Sequence, residues 1–149
     1  MSKAGPGLPP LTILHGEDEF GISEMVRAIK GNQEVVETGS FNVKEFDGAV
    51  TTLAELRSIC DTMPFLAEQR LVIVYNVLGL RRRGGVSHSQ DREFLSGLIE
   101  YLPSQSPFCA LVLVEHGVMD NEGRRRKKRL INAAKEVKGA DIQHYPVPV

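Results

Sequence analysis

Two short apolar runs constrain the fold of this chain more than any other feature of its sequence. They are RLVIVY at 70–75 and CALVLV at 109–114, and both are rich in β-branched residues. A strand that faces water on one side alternates apolar and polar residues, whereas a strand covered by helices on both sides is apolar almost throughout. The two runs therefore predict central strands of a parallel sheet.

The rest of the sequence alternates between strand and helix patterns. Further strands are predicted at 11–15 (LTILH), 41–46 (FNVKEF) and 142–145. Helical spacing of apolar residues follows each of the first four strands, after a loop at 80–91 in the third case, and Thr52 with Glu55 forms a capping box before one helix. Five strands that alternate with helices indicate a three-layer α/β domain with right-handed crossovers.

Length and composition fit one globular domain. The chain has 149 residues, of which 42% are hydrophobic and 25% charged, and its net charge is −1. No apolar run approaches the roughly 18 residues of a membrane span, and the first ten residues do not resemble a signal peptide. We expect a flexible tail at 1–10, one domain at 11–145 and the start of a linker at 146–149.

The two cysteines are predicted to be core residues. Cys60 and Cys109 lie far apart in the sequence, without CxxC spacing, and each sits in an apolar segment. This pattern fits a protein of the reducing cytoplasm.

The first predicted strand is followed by a segment with most of the spacing of a phosphate-binding loop. The segment GEDEFGIS at 16–23 matches G-x-x-x-x-G-K-[ST] at Gly16, Gly21 and Ser23, but Ile22 replaces the lysine. Such loops hold phosphates with backbone N–H groups, the helix N-terminus and the lysine charge. Here the acids at 17–19 would repel phosphate instead. We predict a non-functional phosphate loop and no cofactor; the alternative is that Gly16 only makes a tight turn.

Other parts of a nucleotide site are also missing from the sequence. The buried strand at 70–75 leads into Asn76, where an active ATPase would carry acids that hold magnesium and water. The pair at 115–116, Glu-His, has the chemistry of an acid and a base, but no nucleophile or metal set accompanies it, which favours loop residues. His15, His88 and His144 are isolated in the sequence. No catalytic residue and no metal site are predicted.

Three segments give the chain a resemblance to a known family. They are LTILHGEDEFGISEMVRAIK at 11–30, MPFLAEQRLVIVYNV at 63–77 and FCALVLVE at 108–115, followed by a basic helix. Together they resemble the delta subunit of the bacterial clamp loader, a component of DNA polymerase III. The resemblance implies a P-loop NTPase-like (AAA+) domain without working nucleotide residues, with the lid and collar domains of that family absent.

A proline-bent corner precedes the strand at 70–75. Pro64 cannot extend the helix that ends near Met63, so the adjacent Phe65 and Leu66 must point in different directions, and at least one faces water. In the delta family an apolar pair, usually Leu-Phe, enters a hydrophobic pocket of the sliding clamp and helps to open the ring. The resemblance therefore implies clamp binding by Phe65 and Leu66 with Pro64 and Met63, in reversed order. The alternative is that the pair caps the core.

The resemblance also implies a function for the whole domain. It implies a clamp-loader subunit of the replicative polymerase, a nucleotidyltransferase holoenzyme, that opens the clamp for loading onto primed DNA without hydrolysing ATP itself. Its partners would be the sliding clamp (beta), the gamma/tau and delta prime subunits and primer-template DNA, in the cytoplasm and away from membranes. The rival functions are an active P-loop ATPase or kinase and a receiver-like signalling module.

Two clusters of cations are the last feature with a functional interpretation. The run RRRKKR at 124–129 begins a predicted helix, which spreads six cations around all its faces. Cations near a helix N-terminus oppose the macrodipole and favour an anionic partner. DNA or an acidic partner is predicted to contact Arg124, Arg125, Lys128 and Arg129, with help from 81–83; the alternative is an ordinary solvated face.

Overall fold

The fold consists of one five-stranded sheet with helices on both faces. The structure is a computed structural model that describes residues 8–34, 43–48, 51–64, 69–78, 88–117 and 120–148. In chain order the elements are β1 (Leu11–Gly16), α1 (Glu19–Glu34), β2 (Val43–Asp47), α2 (Leu53–Asp61), β3 (Arg70–Tyr75), α3 (His88–Tyr101), β4 (Cys109–His116), α4 (Asn121–Ala134) and β5 (Asp141–Tyr145).

All neighbouring strands of the sheet are parallel, and their order is β2-β3-β4-β1-β5. The inner strands β3, β4 and β1 are buried along nearly their whole length, because helices cover both of their faces. The edge strands β2 and β5 are half-buried or exposed. The predicted α/β fold with a central parallel sheet of about five strands is confirmed.

Two apolar cores lie on the two faces of the sheet. Side chains of α2, α3 and α4 pack with Leu11 and Ile13 on one face. Ile22 and Val26 of α1 pack with Leu14 on the other face. Successive strand residues point to opposite faces, so within each strand the side chains alternate between the two helix layers.

Helices α2 and α4 begin with the side-chain caps of Thr52 and Asp120. The Oγ1 of Thr52 accepts a hydrogen bond from the Glu55 N–H at 3.1 Å, and Glu55 Oε1 accepts one from the Thr52 N–H at 3.0 Å. This reciprocal pair is the predicted capping box, which satisfies two amides that a helix start leaves unpaired. Asp120 caps α4 through the Gly123 N–H at 2.8 Å.

Two predicted boundaries were wrong. The segment 80–91 was expected to be a loop, yet α3 begins at His88. Its first turn carries only polar residues (HSQD), so the apolar spacing becomes visible only from Phe94. Strand β4 was expected to end at Val114 but runs on to His116, since the strand continues into polar residues that still pair with β1.

Part of the predicted N-terminal tail contacts the residue before β3. The backbone N–H and C=O of Leu8 are hydrogen-bonded to the Gln69 amide at 2.9 and 3.1 Å, so part of the predicted N-terminal tail lies against the start of β3. Within the described ranges no helix is long and apolar enough to cross a membrane.

Candidate functional site

The two candidate sites lie at opposite edges of the sheet. Because all five strands run in one direction, the loop that follows β1 at Gly16 lies at the carboxyl edge. The segment that leads from α2 into β3 at Arg70 reaches the amino edge. The loop after β1 resembles a phosphate site in sequence, and the segment before β3 contains the proline-bent corner.

Several backbone amides of the loop after β1 are already hydrogen-bonded within the chain. The Asp18 N–H donates to the Tyr145 carbonyl at the end of β5, at 3.1 Å. The Gly21 N–H donates to the Asp18 carboxylate at 3.0 Å, and the Ile22 N–H to the Asp18 carbonyl at 3.1 Å. A phosphate loop presents such amides to its ligand. Here Asp18 and β5 occupy the place that a phosphate would need.

The two glycines of the loop serve packing inside the domain. Gly16 has a φ of +135°, and a Cβ at this position would lie 2.0 Å from the Tyr145 carbonyl oxygen. A Cβ on Gly21 would lie 2.5 Å from Asp18 Oδ2. Glycine is therefore required at Gly16 so that β5 can close over the loop, and at Gly21 it leaves room for the Asp18 carboxylate that caps α1.

The side chains of Ile22 and Ser23, the other two positions of the phosphate-loop pattern, lie in different surroundings. Ile22, which stands where the lysine would be, is only 1% exposed and belongs to the core beneath α1. Ser23 is exposed and lines a pocket of about 350 Å³ between α1 and the carboxyl ends of β3 and β4. The pocket has an apolar floor that includes Val26 and Val114.

Each basic side chain at the rim of this pocket lies beside a carboxylate. Lys30 Nζ lies 2.8 Å from Glu45 Oε2, and Arg27 lies 2.9 Å from Glu24. His116 Nδ1 lies 3.1 Å from Glu19 Oε1 at the start of α1. Because these carboxylates offset the basic groups, the pocket offers a triphosphate little net positive charge.

The end of β3 carries no magnesium ligand. The Tyr75 hydroxyl donates to Glu45 Oε1 at 2.7 Å, and burial together with this carboxylate raises the Tyr75 pKa above its ordinary value. Asn76 has a φ of 63°, a left-handed conformation that asparagine tolerates, and its N–H donates to the Val114 carbonyl at 3.0 Å. The chain turns away here without presenting an acid.

Glu115 and His116 are not the loop residues that were predicted, because both belong to β4. Glu115 is 2% exposed and accepts hydrogen bonds from the Val77 N–H at 2.6 Å and the Leu78 N–H at 3.3 Å. Burial raises the pKa of Glu115 to about 8. The carboxyl group therefore holds the segment after β3 in place, and that structural use explains why an acid stands here.

His15 and His144, which looked isolated in the sequence, are in contact. Their rings stack with centroids 4.8 Å apart, and the register of the sheet places His15 between Glu115 on β4 and His144 on β5. Burial, with a smaller effect of Lys127, lowers the pKa of His15 to about 4. Aligning the predicted strands in parallel register was the signal that could have found this row. His88, the third isolated histidine, is the first residue of α3.

The proline-bent corner is described only up to Pro64. Helix α2 ends at Asp61, and the Thr62 N–H donates to the Ile59 carbonyl at 3.3 Å. Met63 is 67% exposed and Pro64 is half-buried. Phe65 and Leu66 lie outside the described residues, so their exposure remains a prediction.

The basic run at 124–129 divides into exposed and buried members. The exposed residues are those predicted to contact an anionic partner, Arg124, Arg125, Lys128 and Arg129. Arg126 is 6% exposed and donates from Nη1 to the Leu78 carbonyl at 3.2 Å. Arg126 and Glu115 together fix the segment that follows β3. In the part of the chain that the structure describes, no group of three or more His, Cys, Asp or Glu side chains is placed to hold a metal ion.

Comparisons with known proteins agree with one another. The family model for the DNA polymerase III delta subunit matches residues 13–139. The DNA polymerase III subunit delta of Bacillus subtilis (strain 168) is 28% identical over 146 residues, which is 93% of this chain and 41% of that protein. The chain thus spans about two fifths of the length of this curated relative.

Solved structures give the same result at the level of the fold. The Bacillus subtilis DNA clamp loader delta protein superposes with a TM-score of 0.70 at 27% identity, covering 93% of this chain and 39% of that one. A DNA polymerase III gamma subunit-related protein of Thermotoga maritima superposes with a TM-score of 0.53 at 15% identity, covering 95% of this chain and 42% of that one. The second likeness concerns the fold alone.

Proposed function

Since this chain belongs to the DNA polymerase III delta-subunit family, we propose that it is the domain with which a clamp-loader subunit binds and opens the ring-shaped sliding clamp. In this proposal the domain acts in a polymerase holoenzyme that loads the clamp onto primed DNA, and it does not hydrolyse ATP itself. Contacts with the gamma/tau and delta prime subunits belong to the same proposal.

The observation that carries the proposal is the closed loop after β1. Asp18 and the Tyr145 carbonyl use the amides that a nucleotide phosphate would need, and Ile22 is in the core where a lysine would have to reach outward. A domain of this family without a nucleotide site contributes through binding. This supports clamp opening without chemistry in the domain.

The corner after α2 is the binding surface in the proposal. Met63 is 67% exposed, and the chain continues through Pro64 into two large apolar residues, Phe65 and Leu66. Burying an exposed Phe or Leu side chain stabilises a complex by about 1.5–3 kcal/mol. A hydrophobic pocket on the clamp would make use of this free energy, and the reversed Phe-Leu order changes the shape of the pair more than its volume.

Ring opening follows from differential binding. A ligand shifts a conformational equilibrium only by the difference in its affinity for the two states. If the corner fits the open clamp better than the closed clamp, its binding stabilises the open ring. ATP bound elsewhere in the loader would then control when the corner is presented.

The test is the affinity for the cognate sliding clamp, measured by surface plasmon resonance. The double variant Phe65→Ala plus Leu66→Ala is expected to bind at least about 30-fold more weakly, because interface anchors typically contribute about 2 kcal/mol or more. Phe20→Ala is the matched control, since Phe20 is 76% exposed but lies at the start of α1 at the opposite edge of the sheet. Equal binding by wild type and the double variant would refute the assignment of the corner.

The rival functions have less support. An active ATPase or kinase would need a lysine at the position of Ile22 and acids at positions 75 and 76, at the end of β3, and neither is present. A receiver-like module would need the acids after β1 to hold magnesium, but the Asp18 carboxylate caps α1. These observations favour a binding domain over both rivals.

The exposed cations of α4 are the proposed contact with primer-template DNA. Arg124, Arg125, Lys128 and Arg129 all reach solvent, and Arg125 is partly offset by Glu122 at 3.1 Å. An exposed cluster of this kind binds phosphate through charge, with an affinity that falls steeply as salt is added. An acidic protein surface is the alternative partner for the same cluster.

A further inference from the structure

The pocket between α1 and the carboxyl ends of β3 and β4 has no part in the function proposed above. Its volume is about 350 Å³, which falls within the roughly 300–1,000 Å³ of sites that bind small molecules. Its lining begins at Ile22, beyond the two glycines of the closed phosphate loop, and includes the ends of two inner strands. The pocket is therefore a feature distinct from that loop.

The floor of the pocket is apolar and fixed by packing. Ile22 and Val26 of α1 are 1% and 7% exposed, and Val114 of β4 is 1% exposed. All three belong to the core between α1 and the sheet. Because close packing holds these side chains, the floor exists before any ligand binds. It offers the carbon atoms of a ligand an apolar surface.

The remaining lining residues carry hydrogen-bond donors. Ser23, Arg27 and Lys30 are spaced four and three residues apart, so successive turns of α1 present a hydroxyl, a guanidinium and an ammonium along one face. Tyr75 adds a phenol from the end of β3, and His116 adds an imidazole from the end of β4. A wall of donors that includes two cations is suited to an anionic group.

The carboxylates that pair with Arg27 and Lys30 stand outside the lining. Arg27 Nη1 lies 2.9 Å from Glu24 Oε2, and Lys30 Nζ lies 2.8 Å from Glu45 Oε2. Neither glutamate is among the described residues that line the pocket. A guanidinium has five N–H donors and an ammonium has three, so one carboxylate partner leaves donors for a ligand. Exposed ion pairs of this kind also rearrange at little cost.

Lys30 is held in place by contacts with two strands. Glu45 of β2 accepts a hydrogen bond from Lys30 and another, at 2.7 Å, from the Tyr75 hydroxyl of β3. The side chain of Lys30 is only 30% exposed. A cation that is positioned before binding loses less conformational entropy when a ligand arrives.

A single carboxylate on a carbon chain matches these features better than other ligands. The charge that a dianion such as phosphate needs is limited by Glu24 and Glu45 beside the two cations. A neutral apolar molecule would remove water from Arg27 and Lys30 without replacing it. A carboxylate replaces that water with charge-assisted hydrogen bonds.

We propose that this pocket binds a small apolar monocarboxylate. The carbon chain of the ligand packs on Val26 and Val114, and its carboxylate accepts hydrogen bonds from Arg27 and Lys30. The inference does not rest on clamp binding, because the pocket lies at the carboxyl edge of the sheet and the corner after α2 lies at the amino edge.

The test is a titration of the chain with sodium isovalerate at constant pH, followed in amide NMR spectra. We expect saturable shifts of the Ser23, Arg27 and His116 signals with a Kd of about 1 mM, which is ordinary for a ligand of about seven non-hydrogen atoms. Isovaleramide has nearly the same shape without the charge and should bind at least about tenfold more weakly. Inorganic phosphate at the same concentrations should leave these signals in place.

Two variants separate binding in the pocket from non-specific effects. Lys30→Met should weaken isovalerate binding at least about tenfold, since it removes a charged donor. Ser23→Phe fills the pocket from an exposed position, keeps every charge, and should abolish the shifts. Lys135→Met is the matched control and should bind as the wild type does, because Lys135 is exposed at the end of α4, on the other face of the sheet.

Several outcomes would overturn the proposal. One is that isovaleramide or phosphate binds at these amides as tightly as isovalerate does. Another is that Lys30→Met or Ser23→Phe, with amide spectra that show an intact fold, leaves the affinity unchanged. Shifts that do not saturate, or that fall on surfaces away from the pocket, would count against it equally. None of these readouts depends on the affinity for the clamp.

Discussion

Among single residues, Gly16 is the position where a side chain is tolerated least. Its φ of +135° is one that side-chain-bearing residues rarely adopt, and a Cβ would collide with the Tyr145 carbonyl at 2.0 Å. We expect Gly16→Ala to lower the free energy of unfolding by about 3 kcal/mol, measured by urea denaturation, since strain and displacement of β5 act together.

Gly31 provides the matched control for this substitution. It lies in α1, and nothing lies within 4 Å of a Cβ built there. Gly31→Ala should therefore stabilise the protein by up to about 1 kcal/mol through helix propensity. A loss for Gly16→Ala no larger than about 0.5 kcal/mol would contradict the account of the loop, because surface substitutions without special contacts fall in that range.

Glu115 and His15 make opposite contributions to the pH dependence of stability. The folded-state pKa of Glu115 is raised from 4.5 to about 8, so its contribution is complete below pH 4.5 and is lost as pH rises through about 8. The folded-state pKa of His15 is lowered from 6.5 to about 4, so its contribution is complete above pH 6.5 and is lost as pH falls through about 4. The two effects oppose each other between pH 4.5 and 6.5.

Between pH 6.5 and about 8, Glu115 is the member of this pair whose protonation differs between the folded and the unfolded protein. We expect the free energy of unfolding to fall there with rising pH, by at most about 1.4 kcal/mol per pH unit. Chemical denaturation across this range measures the slope. Glu115→Gln, which cannot ionise, should flatten it, and an unchanged slope in that variant would assign the effect to another group.

At the scale of the elements, the strands were easier to predict than their ends. The apolar runs that form β3 and β4 are unmistakable because helices cover both faces, and the capping box marked the start of α2 from two residues. The polar ends of β4 and α3 were missed, since a strand or helix that continues into polar residues loses its periodicity. Tertiary pairing, here with β1, extends β4 through Glu115 and His116.

Helix α4 provides a prediction at this same scale. Reversing charge at Arg124, Arg125 and Lys128, all exposed, should weaken binding to primed DNA and reduce the slope of log affinity against log salt by about 0.9 for each phosphate that the helix no longer neutralises. Fluorescence anisotropy at several salt concentrations measures both. Lys135→Glu plus Lys138→Glu, exposed positions beyond the end of α4, is the control and should change the slope little. An unchanged slope in the α4 variant would exclude nucleic acid as its partner.

For the whole molecule, the closed carboxyl edge predicts indifference to nucleotide. A ligand that binds only the folded state raises stability by RT ln(1 + [L]/Kd), which is about 4 kcal/mol at a thousandfold excess over Kd. We expect millimolar MgATP to leave the melting temperature unchanged relative to magnesium alone, as followed by scanning calorimetry. A rise of several degrees would show that the loop between Gly16 and Gly21 opens to accept phosphate.

The whole-molecule fold was predictable from sequence, whereas the contacts inside the sites were not. Alternation of strands and helices indicated the three layers, and the missing lysine at Ile22 indicated a loop without phosphate chemistry. The contact between His15 and His144 could not be read from sequence alone, because it depends on strand order and register. The use of Asp18 and Tyr145 to fill the loop also depends on where β5 lies.

The bond between Asp18 and Tyr145 has a mechanical consequence. Strand β5 runs parallel to β1, and its last carbonyl accepts a hydrogen bond from the Asp18 N–H, just before α1. Tension on the tail beyond Tyr145 along the strand direction would load all the β1–β5 hydrogen bonds simultaneously in shear, rather than peeling them one after another. A pull on the tail would thus be transmitted to β1, an inner strand of the sheet.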